Sequence, residues 1–183
     1  MAYINKSMYN QVTGQAITFV HTTSDTNGRL LEMVATYGPQ SKEPLAHYHP
    51  EQAEDFEVLS GELCVRLGGQ LKTLRKGDKV HIAANQIHSM WNGSHTPTQV
   101  NWQVQPALDT EYLLETITGL ANDGKVDKKG TPSLLQTALT GNKFSDVLRF
   151  AKPPFLVQKI LFSLLTPFAY LSGLRATYQK YLN

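Results

Sequence analysis

The stretch His47-Tyr48-His49-Pro50-Glu51-Gln52-Ala53-Glu54 decides the fold. Side chains two residues apart on a β-strand share a face, so His47 and His49 present two imidazoles side by side. Pro50 cannot continue a central ladder, and we therefore expect the chain to turn there. Glu54 then begins an apolar run. A lone carboxylate on such a face would incur a high desolvation cost, which a bound cation removes.

A second stretch, from Gly77 through His88 to Asn92, supplies another imidazole. His88, Met90 and Asn92 share a face of the predicted strand. Three imidazoles (His47, His49 and His88) and the Glu54 carboxylate suit one divalent transition metal ion. Iron(II), manganese, nickel, copper and zinc fit this ligand set, and calcium and magnesium fit it much less well. The alternative interpretation is a polar cluster in which these groups satisfy one another without a metal.

Short alternating apolar runs broken by Gly, Asn and Asp fill residues 15–105, which is typical of all-β structure. Turn dipeptides such as Asn27-Gly28 and Gly68-Gly69 separate the runs. Such dense, short strands predict a sandwich or a closed barrel. The predicted strands are Ala16–Val20, Arg29–Tyr37, Ala46–His49, Glu54–Leu59, Glu62–Leu67, Leu71–Leu74, Lys79–Ile82, Ser89–Asn92 and Thr98–Val104.

Both stretches resemble the motifs of the cupin superfamily. The first, from His47 to Glu54 and on to Gly61, has the spacing of the first cupin motif; the second, ending at His88 and Asn92, is similar to the second motif. The resemblance implies a mainly β protein, a double-stranded β-helix (cupin jelly-roll barrel) that holds a metal on His47, His49, Glu54 and His88, and it implies that homodimers are common.

The sequence departs from the cupin motifs at three positions. Ser41 stands where the first motif often begins with glycine, and Ala83 and Asn85 replace a usual proline and a usual glycine. Asn is the best non-glycine residue for a left-handed backbone position, so the turn at Asn85 can be preserved. None of the three departures removes a metal ligand.

The pattern changes after the barrel, and we divide the chain into a cupin domain (1–107) and a helical C-terminal extension (108–183). Asp109–Leu120 reads as a helix with an apolar stripe. Thr131-Pro132 predicts the start of a second helix, and Lys143–Phe150 a third. The fold class is therefore a β-barrel with C-terminal α-helices.

The apolar tail, residues 155–174, could pack against protein, attach to a membrane surface or span a membrane. Lys159, Ser163, Thr166 and Tyr170 form one polar stripe, so the predicted helix is amphipathic, and Pro167 should end or kink it near Thr166. A central lysine costs about 3 kcal/mol for insertion into a bilayer. We rank packing against the barrel or a dimer partner first, attachment to a membrane surface second, and spanning last.

Composition excludes several classes of protein. The formal net charge is only +2, which argues against nucleic acid as the partner, since phosphate neutralisation needs a concentrated basic face. One cysteine, Cys64, excludes an internal disulfide bond. The polar stretch from Met1 to Asn10 lacks the apolar core of a secretion signal, so we expect a cytoplasmic protein.

The predicted function is a metal-dependent enzyme that acts on a small organic molecule, with an oxygenase favoured. Glu54 would serve as both ligand and proton acceptor. Phe56, Met90 and Trp102 share faces with inward residues; they read first as barrel core and second as walls of a substrate pocket above the metal. Two alternatives stay open: a metal-dependent isomerase or epimerase, and a small-ligand binding or sensing protein without turnover.

Overall fold

A computed structural model describes residues 2–182 as two antiparallel β-sheets followed by helices. The strands are β1 (Ser7–Asn10), β2 (Gln15–His21), β3 (Leu31–Tyr37), β4 (His47–Tyr48), β5 (Ala53–Ser60), β6 (Glu62–Leu67), β7 (Gln70–Arg75), β8 (Lys79–Ile82), β9 (His88–Trp91), β10 (Thr98–Gln105) and β11 (Arg149–Phe150). The helices are α1 (Thr110–Asn122), α2 (Leu134–Lys143) and α3 (Phe155–Leu171), and a 3-10 turn spans Gln179–Tyr181.

The two sheets face each other around one apolar core. One sheet has the order β1-β2-β3-β10-β5-β8 and the other β11-β4-β9-β6-β7. Strand β3 buries every second side chain, as a strand with one face toward a core should, and β5 does the same from Glu54 to Val58. The predicted fold class, a double-stranded β-helix with C-terminal helices, is confirmed.

All nine predicted strands are present, with small shifts at their ends. Strand β4 is limited to two residues, so His49 lies just beyond the ladder, and β9 begins at His88 itself. Strand β1 was not predicted; it pairs with β2 from Ser7↔Thr18 to Asn10↔Gln15. Its residues alternate little in polarity, and only a long-range partner makes the segment a strand.

The helical extension begins as predicted. Helix α1 covers the expected segment, and α2 starts at Leu134, where the Ser133 hydroxyl accepts a hydrogen bond from the backbone N–H of Gln136. The predicted helix at Lys143–Phe150 is wrong. Helix α2 ends at Lys143, and Arg149–Phe150 forms strand β11, which pairs with Tyr48 and His47. Pairing with a distant strand overrides the local pattern there.

Helix α3 continues through Pro167 to Leu171, so of the two outcomes predicted at the proline, an end or a kink near Thr166, the end is wrong. The Thr166 hydroxyl donates to the Phe162 carbonyl one turn earlier, and it accepts a hydrogen bond from the Asn142 side chain. Packing on α2 thus holds the helical path at the proline. Within residues 2–182, no helix has both the length and the apolarity that a bilayer crossing requires.

The extension is joined to the barrel by β11. Arg149 pairs with Tyr48 and Phe150 with His47, so a strand from the C-terminal part lies at the edge of a barrel sheet. The backbone N–H of Ala151 also donates to the Ala46 carbonyl. The division of the chain at residue 107 stays a prediction, but the second part contacts the strand that carries the first histidine.

Candidate metal centre

Three histidines predicted as metal ligands meet inside the barrel. His47 on β4 pairs directly with His88 at the start of β9, and His49 follows β4. One ring nitrogen from each of the three lies within 4.8 Å of those of the other two. His49 and His88 are almost fully buried, while His47 is half-buried. The spacing and register of β4 and β9 thus gather three imidazoles at one point.

Glu54 reaches the same point from the opposite sheet. Its Oε2 lies 3.2 Å from Nε2 of His49 and 3.0 Å from Nε2 of His88. Its other oxygen, Oε1, accepts a hydrogen bond of 2.9 Å from the indole Nε1–H of Trp102. The carboxylate is 1% exposed, so its orientation is fixed by these contacts rather than by water. The structure therefore brings the four predicted residues together.

The three rings are oriented by backbone carbonyls. Nδ1 of His47 donates to Leu45 (3.0 Å), that of His49 to Val147 (2.6 Å) and that of His88 to Gln86 (2.9 Å). A carbonyl only accepts, so each Nδ1 carries the proton and each Nε2 keeps a lone pair in the neutral ring. This arrangement is the one that metal-bound histidines use.

Several atoms at this point are buried and lack a hydrogen-bond partner of good geometry. They are Nε2 of His49, Nε2 of His88 and Oε2 of Glu54. Buried polar atoms of folded proteins nearly always have a partner, and an orphaned cluster needs an explanation. Lone pairs of imidazole and carboxylate directed at one point suit a divalent transition metal. The residues therefore fit the metal that the sequence predicts.

Burial and neighbouring charges shift the pKa values of His47, His49 and Glu54 in different directions. Desolvation and the two neighbouring imidazoles lower the pKa of His47 to about 4. Burial lowers the pKa of His49, but the adjacent Glu54 carboxylate outweighs it, and the net shift is upward. Burial alone would raise the pKa of Glu54; His49 and His88 reverse this, so its pKa lies well below the usual range. The carboxylate is thus ionised and the His47 ring neutral at neutral pH, the forms that bind metals.

The three predicted pocket residues lie on barrel strands, with Phe56 on β5, Met90 on β9 and Trp102 on β10. Phe56 is 2% and Met90 8% exposed, which fits barrel core, whereas Trp102 keeps part of its surface open. The Phe56 and Trp102 rings stack at 5.5 Å between centroids. Their contact with a substrate stays a prediction.

Two contacts at the centre could not be assigned from the sequence. The alternation of apolar and polar residues along β10 predicted that Trp102 faces inward, but it did not predict the hydrogen bond from the indole N–H to Glu54. The Val147 carbonyl is a main-chain atom 98 residues from His49, and no side-chain pattern marks it. The departures from the cupin motifs are accommodated. Asn85 adopts a left-handed backbone with φ of 66°, and the Ser41 hydroxyl accepts a hydrogen bond from the backbone of Asn92.

Comparison with known proteins places this site in a family. The cupin domain family model matches residues 33–104. Quercetin 2,3-dioxygenase of Bacillus subtilis (strain 168) is 34% identical over 71 residues, which cover 39% of this chain and 21% of that protein. The tetracenomycin polyketide synthase protein TcmJ of Streptomyces glaucescens is 28% identical over 60 residues, or 33% of this chain and 40% of that protein. Each match thus spans less than half of the relative.

A solved structure, that of a predicted oxalate decarboxylase from Thermotoga maritima, aligns with a TM-score of 0.48 and 15% identity, covering 58% of this chain and 89% of that one. Paired β-sheets around clustered imidazoles define a β-barrel protein with a site suited to a metal. The matched segment contains His47, His49, Glu54 and His88, and residues 33–104 form a cupin domain.

Proposed function

We propose that this cupin is a metal-dependent enzyme that acts on a small organic molecule, and that its reaction is an oxygenation. The observation that carries the proposal is the set of orphaned Nε2 and Oε2 atoms, with each imidazole held by a carbonyl on its other nitrogen. His47, His49, His88 and Glu54 would hold one ion of iron, manganese, nickel, copper or zinc. The bound ion would supply open coordination positions at which an organic substrate and dioxygen can react.

Glu54 has the second role in the proposal. Trp102 fixes Oε1, so Oε2 stays directed at the centre, where it can accept a proton from a bound substrate. The half-buried Trp102, the Phe56 ring that stacks on it, and Met90 would form apolar walls that orient a small organic molecule and exclude water. The dioxygenase named among the relatives supports oxygenation, although the match covers only part of that protein.

The first experiment measures the metal. Protein purified without chelators should contain about one transition-metal ion per chain by elemental analysis, as one tightly grouped ligand set requires. His88→Ala should lose it, since a ligand is removed. His81→Ala is the matched control, because His81 is exposed on β8 and pairs with Asp55 outside the cluster. Equal metal content in the two variants would contradict the metal centre.

The second experiment measures the reaction. Protein loaded separately with each of the five metals is screened for oxygen uptake with phenolic, diketone and thiol compounds. Glu54→Ala should abolish uptake, whereas Glu51→Ala, an exposed carboxylate in the preceding turn, should keep it. Metal-loaded protein that never consumes oxygen would rule out the oxygenase. Interconversion of isomers without oxygen would favour the isomerase or epimerase, and ligand binding that survives Glu54→Ala would favour a binding or sensing protein.

Two further predictions concern the surroundings of the enzyme. A homodimer is expected because dimers are common among cupins, and light scattering tests it directly. A cytoplasmic location is also proposed, and cell fractionation tests it.

A further inference from the structure

Helix α3 turns a wide apolar surface away from the rest of the protein. We call this surface the outer face; it has seven large apolar side chains, and its most exposed members are Leu171 (85%), Leu156 (68%), Leu164 (64%) and Phe168 (61%). At 100° per residue, the seven occupy about 140° of the helix surface without interruption by a polar residue. The members are Leu156, Val157, Ile160, Leu161, Leu164, Phe168 and Leu171. Continuous exposed apolar patches of this kind mark interaction sites.

The opposite side of α3 is anchored, so the outer face cannot turn inward. Gln158, Phe162 and Ala169 are the buried residues of the helix. The Gln158 side chain donates to the carbonyls of Phe150 and Pro153. Phe162 packs so closely on α2 that a Cβ atom at Gly141 would lie 2.6 Å from its ring. Rotation of the helix would break these contacts, and the outer face is therefore a fixed feature of the fold.

The segment of the chain that contains α3 carries basic residues and no acidic ones. From Arg149 to Asn183 the chain has five basic residues (Arg149, Lys152, Lys159, Arg175 and Lys180) and no Asp or Glu. The whole chain has a formal net charge of only +2, so the remainder is net acidic. Within residues 2–182, Lys152, Lys159 and Arg175 have no salt bridge, and all three are exposed. Basic groups precede, flank and follow the outer face.

We propose that the outer face of α3 docks on an anionic lipid bilayer, with the helix lying in the plane of the membrane. A helix with an apolar face, a basic flank and Phe and Leu side chains is the type that inserts at the boundary between headgroups and acyl chains. Lys152, Lys159 and Arg175 then lie where lipid phosphates are, and their long side chains can extend to the headgroups while the outer face is immersed.

The charge pattern favours a lipid surface over a second copy of this chain. A two-fold symmetric dimer through the outer face would bring the same basic segment of both copies together. Like charges close to a desolvated interface oppose association. An anionic bilayer has the opposite charge and an apolar interior, and it complements both features.

Co-sedimentation with vesicles tests the proposal on the full chain. The probes are vesicles of phosphatidylcholine alone and of an equal mixture of phosphatidylcholine and phosphatidylglycerol. We expect binding to the mixed vesicles at least about tenfold stronger than to phosphatidylcholine, and weaker binding as salt is raised, because screening shortens the reach of the basic groups.

Two pairs of variants separate the apolar and basic contributions. Ile160→Ser with Leu164→Ser should reduce binding to mixed vesicles about tenfold or more, since burial of the apolar face provides affinity. Leu71→Ser with Ile87→Ser is the control, as both side chains are exposed on the barrel. Lys152→Glu with Lys159→Glu should abolish the preference for anionic lipid, whereas Lys72→Glu with Lys76→Glu, exposed on and beside β7, should retain it.

The contradicting outcomes are distinct. No binding of the wild type to either vesicle would overturn the proposal, as would equal losses in the outer-face and control variants. A third outcome would also show that the lipid proposal is wrong. In it the wild type binds no vesicles and is dimeric by light scattering, and only the outer-face variant is monomeric. The outer face would then bind a second copy of this chain. Circular dichroism confirms that each variant is folded. Metal content is measured in parallel and should be the same in all variants, so the result is independent of the proposed enzyme activity.

Discussion

The backbone carbonyl of Val147 accepts a hydrogen bond of 2.6 Å from Nδ1 of His49. The C-terminal extension thereby contributes directly to the candidate metal centre, because this contact fixes the tautomer and the orientation of one imidazole. Val147 is held by a small apolar cluster in which it packs with Leu113 of α1 and with Phe144 at the end of α2. The order of the helical extension and the affinity of the centre should therefore be coupled.

Truncation of Phe144 tests this coupling. Phe144→Ala removes a side chain that is 2% exposed, and it should lower the free energy of unfolding by about 3–5 kcal/mol. It should also weaken metal binding about tenfold or more, because the Val147 carbonyl loses its support. Ile17→Ala in β2 is the control; its unfolding free energy should fall by about 2–5 kcal/mol with metal affinity unchanged. Equal metal affinities in the two variants would show that the carbonyl has no such role.

The indole of Trp102 provides a second test of the centre. Trp102→Phe keeps an aromatic ring against Phe56 but removes the donor to Oε1 of Glu54. A hydrogen bond to a charged group contributes about 1.5–3 kcal/mol, so stability of the metal-free protein should fall by about this amount. Metal affinity should fall about tenfold, since Glu54 is less well oriented.

The control for that test is Trp91→Phe. Trp91 lies on β9, one residue out of phase with His88 and Met90, and the Arg66 guanidinium lies over its ring at 5.6 Å from the centroid. Its replacement should leave metal affinity unchanged. Titration of both variants with the same metal, followed by the fluorescence of the remaining tryptophan, measures the difference. If Trp102→Phe binds the metal as tightly as Trp91→Phe does, the Trp102 indole does not contribute to metal binding.

The centre was predictable from sequence because its determinants are local. The two-residue spacing of His47 and His49 fixes their common face whatever the rest of the chain does. Asn85 kept the left-handed turn expected of it, with φ of 66°. The convergence of His88 required knowledge of which strands pair, and the resemblance to the cupin motifs supplied it.

The extension was less predictable because distant partners determine it. Arg149 and Phe150 look helical in their local context, yet they form a strand by pairing with β4. Three residues of the predicted polar stripe of α3, Lys159, Ser163 and Tyr170, are exposed, and the wide apolar side was expected to pack on the barrel or on a dimer partner. In the structure a narrow stripe around Phe162 packs on α2, and the wide side is exposed. Periodicity reveals that a face is apolar and does not reveal what covers it.

Gly61, in the turn between β5 and β6, should tolerate no side chain. Its φ is +79°, and a Cβ atom there would lie 2.7 Å from the carbonyl oxygen of Pro97. Gly28 has a similar φ of +76° with no atom within 4 Å of its Cβ position. Gly28→Ala should therefore cost only the left-handed strain, about 1–2 kcal/mol. Gly61→Ala should cost about 2–5 kcal/mol, because overpacking adds to that strain. Urea unfolding of both variants checks the order, and equal midpoints would contradict the close contact.

Asp25 should make stability depend on pH in the acid range. The Thr22 hydroxyl, His21 and the Thr22 backbone N–H all favour its carboxylate, and they lower its pKa from 3.8 to about 2. A group whose pKa is lower in the folded state contributes stability above its unfolded value, and the contribution is lost as pH falls through the folded value. Asp25→Asn cannot ionise. The difference in unfolding free energy between wild type and this variant should thus be greatest well above pH 4 and should decrease as pH falls through about 2.

Thr22→Val identifies the cause of that pH dependence. It removes the hydroxyl that donates to Oδ1 of Asp25, the contact that lowers the pKa most. The pKa of Asp25, followed by its carboxyl carbon resonance, should rise toward 3.8, and the acid loss of stability due to Asp25 should be smaller and should be complete at a higher pH than in the wild type. An unchanged Asp25 titration in Thr22→Val would mean that the hydroxyl does not stabilise the carboxylate, and the acid sensitivity would then have to come from His21 and the backbone alone.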